Sequence, residues 1–136
     1  MTKPDGKTTM KIFIADDSPV VRARLLTMLS DFDQMEVVGQ ASTVQEARNG
    51  IATKRPDVVI LDVRMPGGTG IDVLHSLKKK HGLPVVIIFT NFPYDQYRSR
   101  CFEAGADYFF DKSTEFDKML GVFEKLASKI GPGRSI

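Results

Sequence analysis

The chain has 136 residues, of which 42% are hydrophobic and 26% charged, and its formal net charge is +2. This size and composition predict one globular domain, and the charge is too small to indicate nucleic-acid binding by itself. The single cysteine, Cys101, excludes a disulfide framework and favours a reducing cytoplasm. No apolar run approaches the ~20 residues of a membrane span, and the N-terminal MTKPDGKTT lacks the apolar core of a signal peptide.

Short apolar runs rich in Val, Ile and Phe alternate with segments of helical period along the chain. The runs predict five strands, at 10–15, 36–41, 57–61, 84–89 and 107–110. The third and fourth runs, VVIL and VVIIF, are apolar throughout. Continuous hydrophobicity of this kind is typical of strands that are buried on both faces of a parallel sheet.

The first three helices are predicted from residues that favour helix ends. Pro19 suits the first turn of the first helix. Thr43 and Glu46 have the spacing of a capping box at the start of the second helix. The third helix is expected to bury Leu77 and to end in the lysine run at 78–80, where cations favour the negative end of the helix dipole.

The remaining helices complete five strand-then-helix units. The fourth is expected to end at Gly105, which suits a left-handed helix terminus, and the fifth carries an apolar stripe through 116–130. Repeated β-then-α units imply right-handed crossovers with helices on both faces of the sheet. We therefore predict one doubly wound α/β domain at 10–131, between a flexible N-terminal lead (1–9) and a C-terminal tail (132–136).

Polar residues follow the predicted strands where each strand ends. Asp16 and Asp17 follow the first strand, Asp62 the third, Thr90 the fourth and Lys112 the fifth. In parallel α/β sheets ligands bind beyond the carboxyl ends of the strands. Distant parts of the chain are therefore expected to bring three carboxylates, a hydroxyl and an ammonium to one edge.

Three carboxylates close together repel one another and favour a cation. A hard divalent ion with oxygen ligands, Mg²⁺ above all, suits this set and leaves sites for water and a phosphoryl group. Asp62, a lone carboxylate after a central strand, is the best nucleophile for such a group, and Lys112 would attract its oxygens. Each residue alone also has a structural explanation, such as helix capping by the segment Asp16 to Ser18. Their conjunction at strand ends favours a site.

These motifs together resemble a known family. They are Asp16-Asp17 after a first strand, LDVRMPGGTG containing Asp62, Thr90 after VVIIF, and GADYFFDK ending in Lys112. In this order and spacing they are similar to the receiver domain of two-component response regulators, over roughly 11–130. The resemblance implies a flavodoxin-like (βα)5 fold whose five parallel strands have the order 2-1-3-4-5.

The resemblance also implies a role for each residue of the edge. Asp62 would accept a phosphoryl group from a phosphohistidine on a sensor histidine kinase or a histidine phosphotransfer protein. Asp17 and Asp62 would ligate Mg²⁺ directly, together with the backbone carbonyl of Arg64, and Asp16 would act mainly through bound water. Lys112 would contact the phosphoryl group. The chain would catalyse only its own phosphorylation and dephosphorylation, and would not otherwise be an enzyme.

The family's signalling residues can be placed as well. Thr90 would move toward the phosphoryl group and shift Phe109. We expect burial of the Phe109 ring to supply most of the free energy that favours the phosphorylated conformation. The face of the fourth helix, fifth strand and fifth helix would then bind a downstream protein or a second copy, without direct contact to nucleic acid or membrane. Arg64 and Phe92 would border the approach of water to the acyl phosphate, and we expect slow self-dephosphorylation because both are large.

Three residues depart from the family pattern. Phe109 stands where Tyr is more common, Asn91 where a small residue is usual, and Ser113 where Lys112 is usually followed by Pro. The first two bear on the details of switching, and the third bears on the geometry of the loop.

Other functions stay open as alternatives. A haloacid-dehalogenase-type phosphatase would need an aspartate at Arg64. A flavodoxin would need a hydroxyl- and glycine-rich loop in place of Asp16-Asp17. A pseudo-receiver would bind partners without phosphorylation, and retention of every acidic, hydroxyl and amine position argues against it. Both a stand-alone receiver and a receiver belonging to a longer regulator fit the sequence.

Overall fold

The structure is a computed structural model that describes residues 9–130. Most of the predicted lead, the predicted tail, the expected helix stop at Gly131 and the side chain of Ile130 lie outside the described residues.

Seven strands and five helices form the described chain. The strands are β1 (Met10–Ala15), β2 (Met35–Ala41), β3 (Val58–Leu61), β4 (Arg64–Met65), β5 (Gly68–Thr69), β6 (Val85–Thr90) and β7 (Tyr108–Asp111). The helices are α1 (Pro19–Leu29), α2 (Val44–Lys54), α3 (Gly70–Ser76), α4 (Asp95–Glu103) and α5 (Phe116–Ile130).

Five of the strands form one parallel sheet in the order β2-β1-β3-β6-β7. Counted within this sheet alone, the order is the predicted 2-1-3-4-5, and the predicted doubly wound fold is confirmed. The strands β4 and β5 form a separate two-residue antiparallel pair, which the sequence analysis did not predict. All four residues of the central strand β3 are buried, in agreement with its continuous hydrophobicity.

Helices cover both faces of the sheet and divide the core in two. On one face lie α2, α3 and α4, which contribute Ile51, Leu74 and Cys101 to one buried cluster. On the other lie α1 and α5, which contribute Leu25 and Phe123 to a second cluster. Because both faces are covered, the central strand β3 is buried along its whole length, and the first polar residue after it is Asp62 at its carboxyl end.

The prediction for the end of the third helix was wrong. Helix α3 ends at Ser76, and Leu77 is already extended, with φ −82° and ψ 140°. The ammonium of Lys79 instead lies 2.7 Å from the carbonyl oxygen of Gly105 and 2.7 Å from a carboxylate oxygen of Asp107. Lys79 therefore ties the loop after α3 to the residues just before β7, and the lysine run does not extend the helix.

Candidate functional site

The turn from β1 to α1 fixes Asp16 and leaves Asp17 exposed. The Asp16 N–H donates to the carbonyl of Ala41 at 2.9 Å, which anchors the residue to β2. Its carboxylate Oδ1 accepts from the Ser18 N–H at 2.9 Å, and its carbonyl accepts from Arg22 Nη1 at 2.6 Å. Asp16 is thus held on several sides, whereas the Asp17 side chain is free to meet solvent or an ion.

Asp62 lies directly after β3, and the tight packing of α3 fixes its backbone. Its N–H donates to the carbonyl of Ala15 at 3.0 Å, and the residue is 4% exposed. A Cβ at Gly70 would collide with the carbonyl oxygen of Asp62. Glycine at the first position of α3 therefore allows the helix to approach the strand end closely.

Lys112 brings the two buried aspartates together. Its Nζ lies 2.6 Å from Asp16 Oδ2 and 2.8 Å from Asp62 Oδ2, and its side chain is 8% exposed. Its backbone N–H donates to the carbonyl of Thr90 at 2.9 Å. The structure therefore places Lys112 across the gap between β1 and β3, as one ammonium shared by two carboxylates.

Burial and pairing shift the pKa values of this group. Burial raises the pKa of the Asp16 carboxyl, although hydrogen bonds from Lys112 and from the Ser18 N–H oppose the rise. Burial by itself would lower the pKa of Lys112, but hydrogen bonds and attraction to Asp16 and Asp62 outweigh it, and the pKa is raised. Lys112 therefore stays protonated as the resident counter-ion of the buried carboxylates.

The carboxylates of Asp16, Asp17 and Asp62 suit a divalent cation. Each offers one oxygen, and these three oxygens lie within 4.8 Å of one another. Among the described residues, the buried Oδ1 of Asp62 has no hydrogen-bond partner. A buried carboxylate oxygen without a partner is costly, and an oxygen-ligated ion such as Mg²⁺ would satisfy it. The donor set therefore fits the expected metal.

Thr90 and Phe109 are both buried. Thr90 is the last residue of β6, 0% exposed, and its Oγ1 accepts from the Phe92 N–H at 3.0 Å. Phe109 is 3% exposed, so our expectation that burial of this ring drives switching is wrong: almost no ring surface is left to bury. Any bias from Phe109 must come from repacking within the core.

Arg64 and Phe92 are in contact with each other. The Arg64 guanidinium carbon lies 4.8 Å from the centre of the Phe92 ring, in the range of a cation–π contact. Arg64 is the first residue of β4, two positions after Asp62, and Phe92 lies two positions after Thr90. The segments that follow β3 and β6 are therefore linked by one side-chain pair.

The sequence analysis missed Arg98. Its guanidinium carbon lies 5.3 Å from the centre of the Phe109 ring and 5.6 Å from that of Phe102. Phe102 follows Arg98 by four residues on α4, a spacing that places them on one helix face and that was available as a signal. The contact between Arg98 and Phe109 left no such signal in the sequence, because it joins residues eleven positions apart on different elements.

Comparisons with known proteins agree with this geometry. A family model described as the response regulator receiver domain matches residues 12–124. The uncharacterized transcriptional regulatory protein YvfU of Bacillus subtilis is 34% identical over 116 residues, which cover 85% of this chain and 58% of YvfU. This chain spans 24% to 58% of the length of the first curated relatives it matches.

Two solved structures show the same fold. The receiver domain of the putative response regulator NarL from Mycobacterium tuberculosis has a TM-score of 0.77 and 25% identity, covering 89% of this chain and 98% of that one. The BeF3-activated N-terminal receiver domain of Klebsiella pneumoniae RstA has a TM-score of 0.72 and 25% identity, covering 84% and 95%.

Proposed function

Because the chain belongs to the response regulator receiver domain family, we propose that it accepts a phosphoryl group on Asp62 from a phosphohistidine of a sensor histidine kinase or a phosphotransfer protein. The observation that carries this proposal is the state of the Asp62 carboxylate. One oxygen is paired with Lys112 at 2.8 Å, and the other is buried without a partner among the described residues. Asp62 thus keeps one oxygen open to a cation or to a phosphoryl group, beside a fixed positive charge.

The proposed step is a transfer between two protein side chains. An oxygen of the Asp62 carboxylate attacks phosphorus, the phosphorus–nitrogen bond of the phosphohistidine breaks, and the imidazole takes its electron pair. Lys112 is placed to neutralise the phosphoryl oxygens as they arrive. Mg²⁺ held by Asp17, Asp62 and the Arg64 carbonyl, with Asp16 acting through water, would neutralise further charge on these oxygens.

Phosphorylation of the chain by acetyl phosphate tests the proposal. With Mg²⁺, borohydride reduction followed by mass spectrometry should mark Asp62 as homoserine, and Asp62→Asn should give no label. Asp95→Asn, which changes an exposed aspartate of α4, is the matched control and should be labelled like the wild type. An unlabelled wild type would refute the phosphoacceptor role and favour a phosphorylation-independent pseudo-receiver.

We propose that the signal leaves through the face of α4, β7 and α5, toward a downstream protein or a second copy of the chain. The support is Arg98, which lies against buried Phe109 and also against Phe102, a surface residue that is 40% exposed. Tyr94, at the start of α4, is 55% exposed. A shift of Phe109 would therefore reach the surface of α4 through Arg98. We propose that this chain makes no direct contact with nucleic acid.

Thr90→Ala should separate phosphorylation from signalling. Movement of Thr90 toward a phosphoryl group requires Oγ1 to leave the Phe92 N–H, and alanine has no hydroxyl to respond. We expect Thr90→Ala to be labelled at Asp62 but to lose most of the BeF3-induced amide shifts of Phe102 and Phe109 in NMR spectra. Thr53→Ala, at an exposed position of α2, should keep these shifts. Full shifts in Thr90→Ala would rule out this coupling.

Arg64 and Phe92 should control the lifetime of the phosphorylated state. Neither side chain is able to act as a general base at neutral pH, and their contact would restrict the approach of water to the acyl phosphate. With Mg²⁺ present, we expect both Arg64→Asn and Phe92→Glu to lose phosphate faster than the wild type. The increase should be roughly tenfold for Phe92→Glu, whose carboxylate can orient water. Because the two side chains touch, their effects should not add in the double variant. Equal decay in all four proteins would contradict this role.

We also propose that the protein works in a reducing cytoplasm. The Cys101 thiol is buried, and burial raises its pKa to about 11, so it is a packing residue and not a reactive thiolate. No helix among residues 9–130 combines the length and hydrophobicity that crossing a membrane requires.

A further inference from the structure

The turn after β7 is organised around Asp111, which uses its N–H, its carbonyl and its carboxylate. Its N–H donates to Glu115 Oε1 at 2.9 Å, and its carbonyl accepts from the Glu115 N–H at 2.9 Å. Its carboxylate Oδ1 accepts from the Ser113 N–H at 2.8 Å. Asp111 and Glu115 therefore close the turn by bonds in both directions.

Lys112 is the residue that this turn carries. Its backbone is held toward β6 by the bond from its N–H to the Thr90 carbonyl, at 2.9 Å. On the other side, Asp111 is bonded to Ser113 and to Glu115, which both follow Lys112 in the turn. The Lys112 side chain is long, so a small rotation of its backbone would move the ammonium away from its place 2.8 Å from Asp62 Oδ2.

We propose that Asp111 and Glu115 are positioning residues for Lys112, and that their hydrogen bonds set the place of the ammonium beside Asp62. This inference rests on the proposed phosphoacceptor function. Where proline commonly follows the lysine in the family that the chain resembles, this chain has Ser113, and proline has no N–H to donate. The bond from the Ser113 N–H to Asp111, which is an Asx-type turn, is available because residue 113 is not proline.

The acceptor on Glu115 is well suited to this role. The bond from the Asp111 N–H, followed by the pairing with Lys118, lowers the pKa of Glu115. Lys118 Nζ lies 3.0 Å from Oε2 of Glu115, which leaves Oε1 for the Asp111 N–H. The Glu115 side chain is 25% exposed, and its two oxygens join the Asp111 N–H to the ammonium of Lys118 in the first turn of α5.

The test compares variants that remove or keep the Asp111 acceptor. Asp111→Ala removes it, and we expect the rate of phosphorylation by acetyl phosphate at saturating Mg²⁺ to fall roughly tenfold, as for a displaced catalytic group. Mg²⁺ should bind no more weakly than to the wild type, because Asp16, Asp17 and Asp62 are untouched and a displaced ammonium would compete less with the cation for their carboxylates. Asp111→Asn keeps an oxygen acceptor and should restore the rate. Thr114→Ala, in the same turn and exposed, should behave like the wild type.

A spectroscopic measurement tests the inference without phosphorylation. The NMR signals of the Lys112 side-chain CεH2 and Nζ should shift in Asp111→Ala and in Glu115→Ala, and should stay at the wild-type position in Asp111→Asn and Glu115→Gln. Glu115→Ala serves in place of Asp111→Ala if the latter fails to fold.

The outcomes separate this inference from the proposed function. Wild-type rate and unmoved Lys112 signals in the alanine variants would overturn the positioning role, and so would an equal loss in Asp111→Asn and Asp111→Ala. An unlabelled wild type would refute the phosphoacceptor function, while the Lys112 signals would still decide whether Asp111 and Glu115 position this lysine.

Discussion

Asp17→Ala is expected to abolish Mg²⁺ binding and phosphorylation while leaving the fold intact. The three carboxylate oxygens that lie within 4.8 Å of one another include one from Asp17, and without it too few oxygen ligands remain for a hard cation. The Asp17 side chain is exposed, so its removal creates no cavity and relieves repulsion from Asp16 and Asp62. We expect the free energy of unfolding without metal to equal or exceed that of the wild type, by chemical denaturation.

The Mg²⁺ affinity of Asp17→Ala, measured by calorimetry, decides this prediction. Asp31→Ala removes an exposed carboxylate after the opposite end of α1, and should bind Mg²⁺ like the wild type. Undiminished affinity in Asp17→Ala would show that the ion, if it binds, is held by other groups. Loss of affinity in both variants would point to general electrostatic attraction instead of a ligand set.

The strands of the sheet could be predicted from the sequence because the hydrophobic pattern of each strand lies within a few consecutive residues. A strand such as VVIL at β3 is buried on both faces, and its continuous hydrophobicity records that burial directly. Once the five strands are placed, the parallel topology brings their carboxyl ends to one edge. Asp16, Asp62 and Lys112 could therefore be assigned to one edge without any contact being known. Their pairing within 2.8 Å is a finer detail of the same arrangement.

What the sequence did not predict depends on contacts between distant residues. Helix α3 stops at Ser76 although Leu77 continues the apolar period, and Lys79 finds its partners at Gly105 and Asp107, 26 and 28 residues away. The burial of Phe109 likewise depends on how α4 packs over β7. Local propensity is a weak prior that tertiary contacts override, so these features required the structure.

Lys112→Met is expected to lower phosphorylation of Asp62 at least about a hundredfold, as for other preorganised charges at a reacting group. The same variant should bind Mg²⁺ more tightly than the wild type. In the metal-free protein the ammonium lies 2.6 Å from Asp16 Oδ2 and 2.8 Å from Asp62 Oδ2, so it competes with a cation for the same carboxylates. Methionine keeps an unbranched side chain up to the Cε position and removes the ammonium, with its charge and its donors. In Lys112→Met the rate of phosphorylation should therefore fall while the affinity for Mg²⁺ rises.

The metal-free Lys112→Met variant should also lose stability at neutral pH. Removing one partner of a buried ion pair costs roughly 3–5 kcal/mol, and here two carboxylates would be left facing each other.

The loss of stability in Lys112→Met should depend on pH. Burial already raises the pKa of Asp16, and the hydrogen bond from Lys112 opposes that rise, so loss of this bond would raise the pKa further. When the pKa of a carboxyl in the folded protein lies above the ordinary 3.8, the free energy of unfolding falls as the pH rises from 3.8 through the folded-state pKa. Below 3.8 the carboxyl is protonated in both the folded and the unfolded state, and this penalty disappears. The stability difference from the wild type should therefore narrow as the pH falls, measured by denaturant unfolding between neutral and acidic pH. Lys125→Met, at an exposed position of α5, is the control and should show none of these effects. A Lys112→Met variant with wild-type stability and unchanged Mg²⁺ affinity would mean that Lys112 is not the counter-ion of the two buried aspartates.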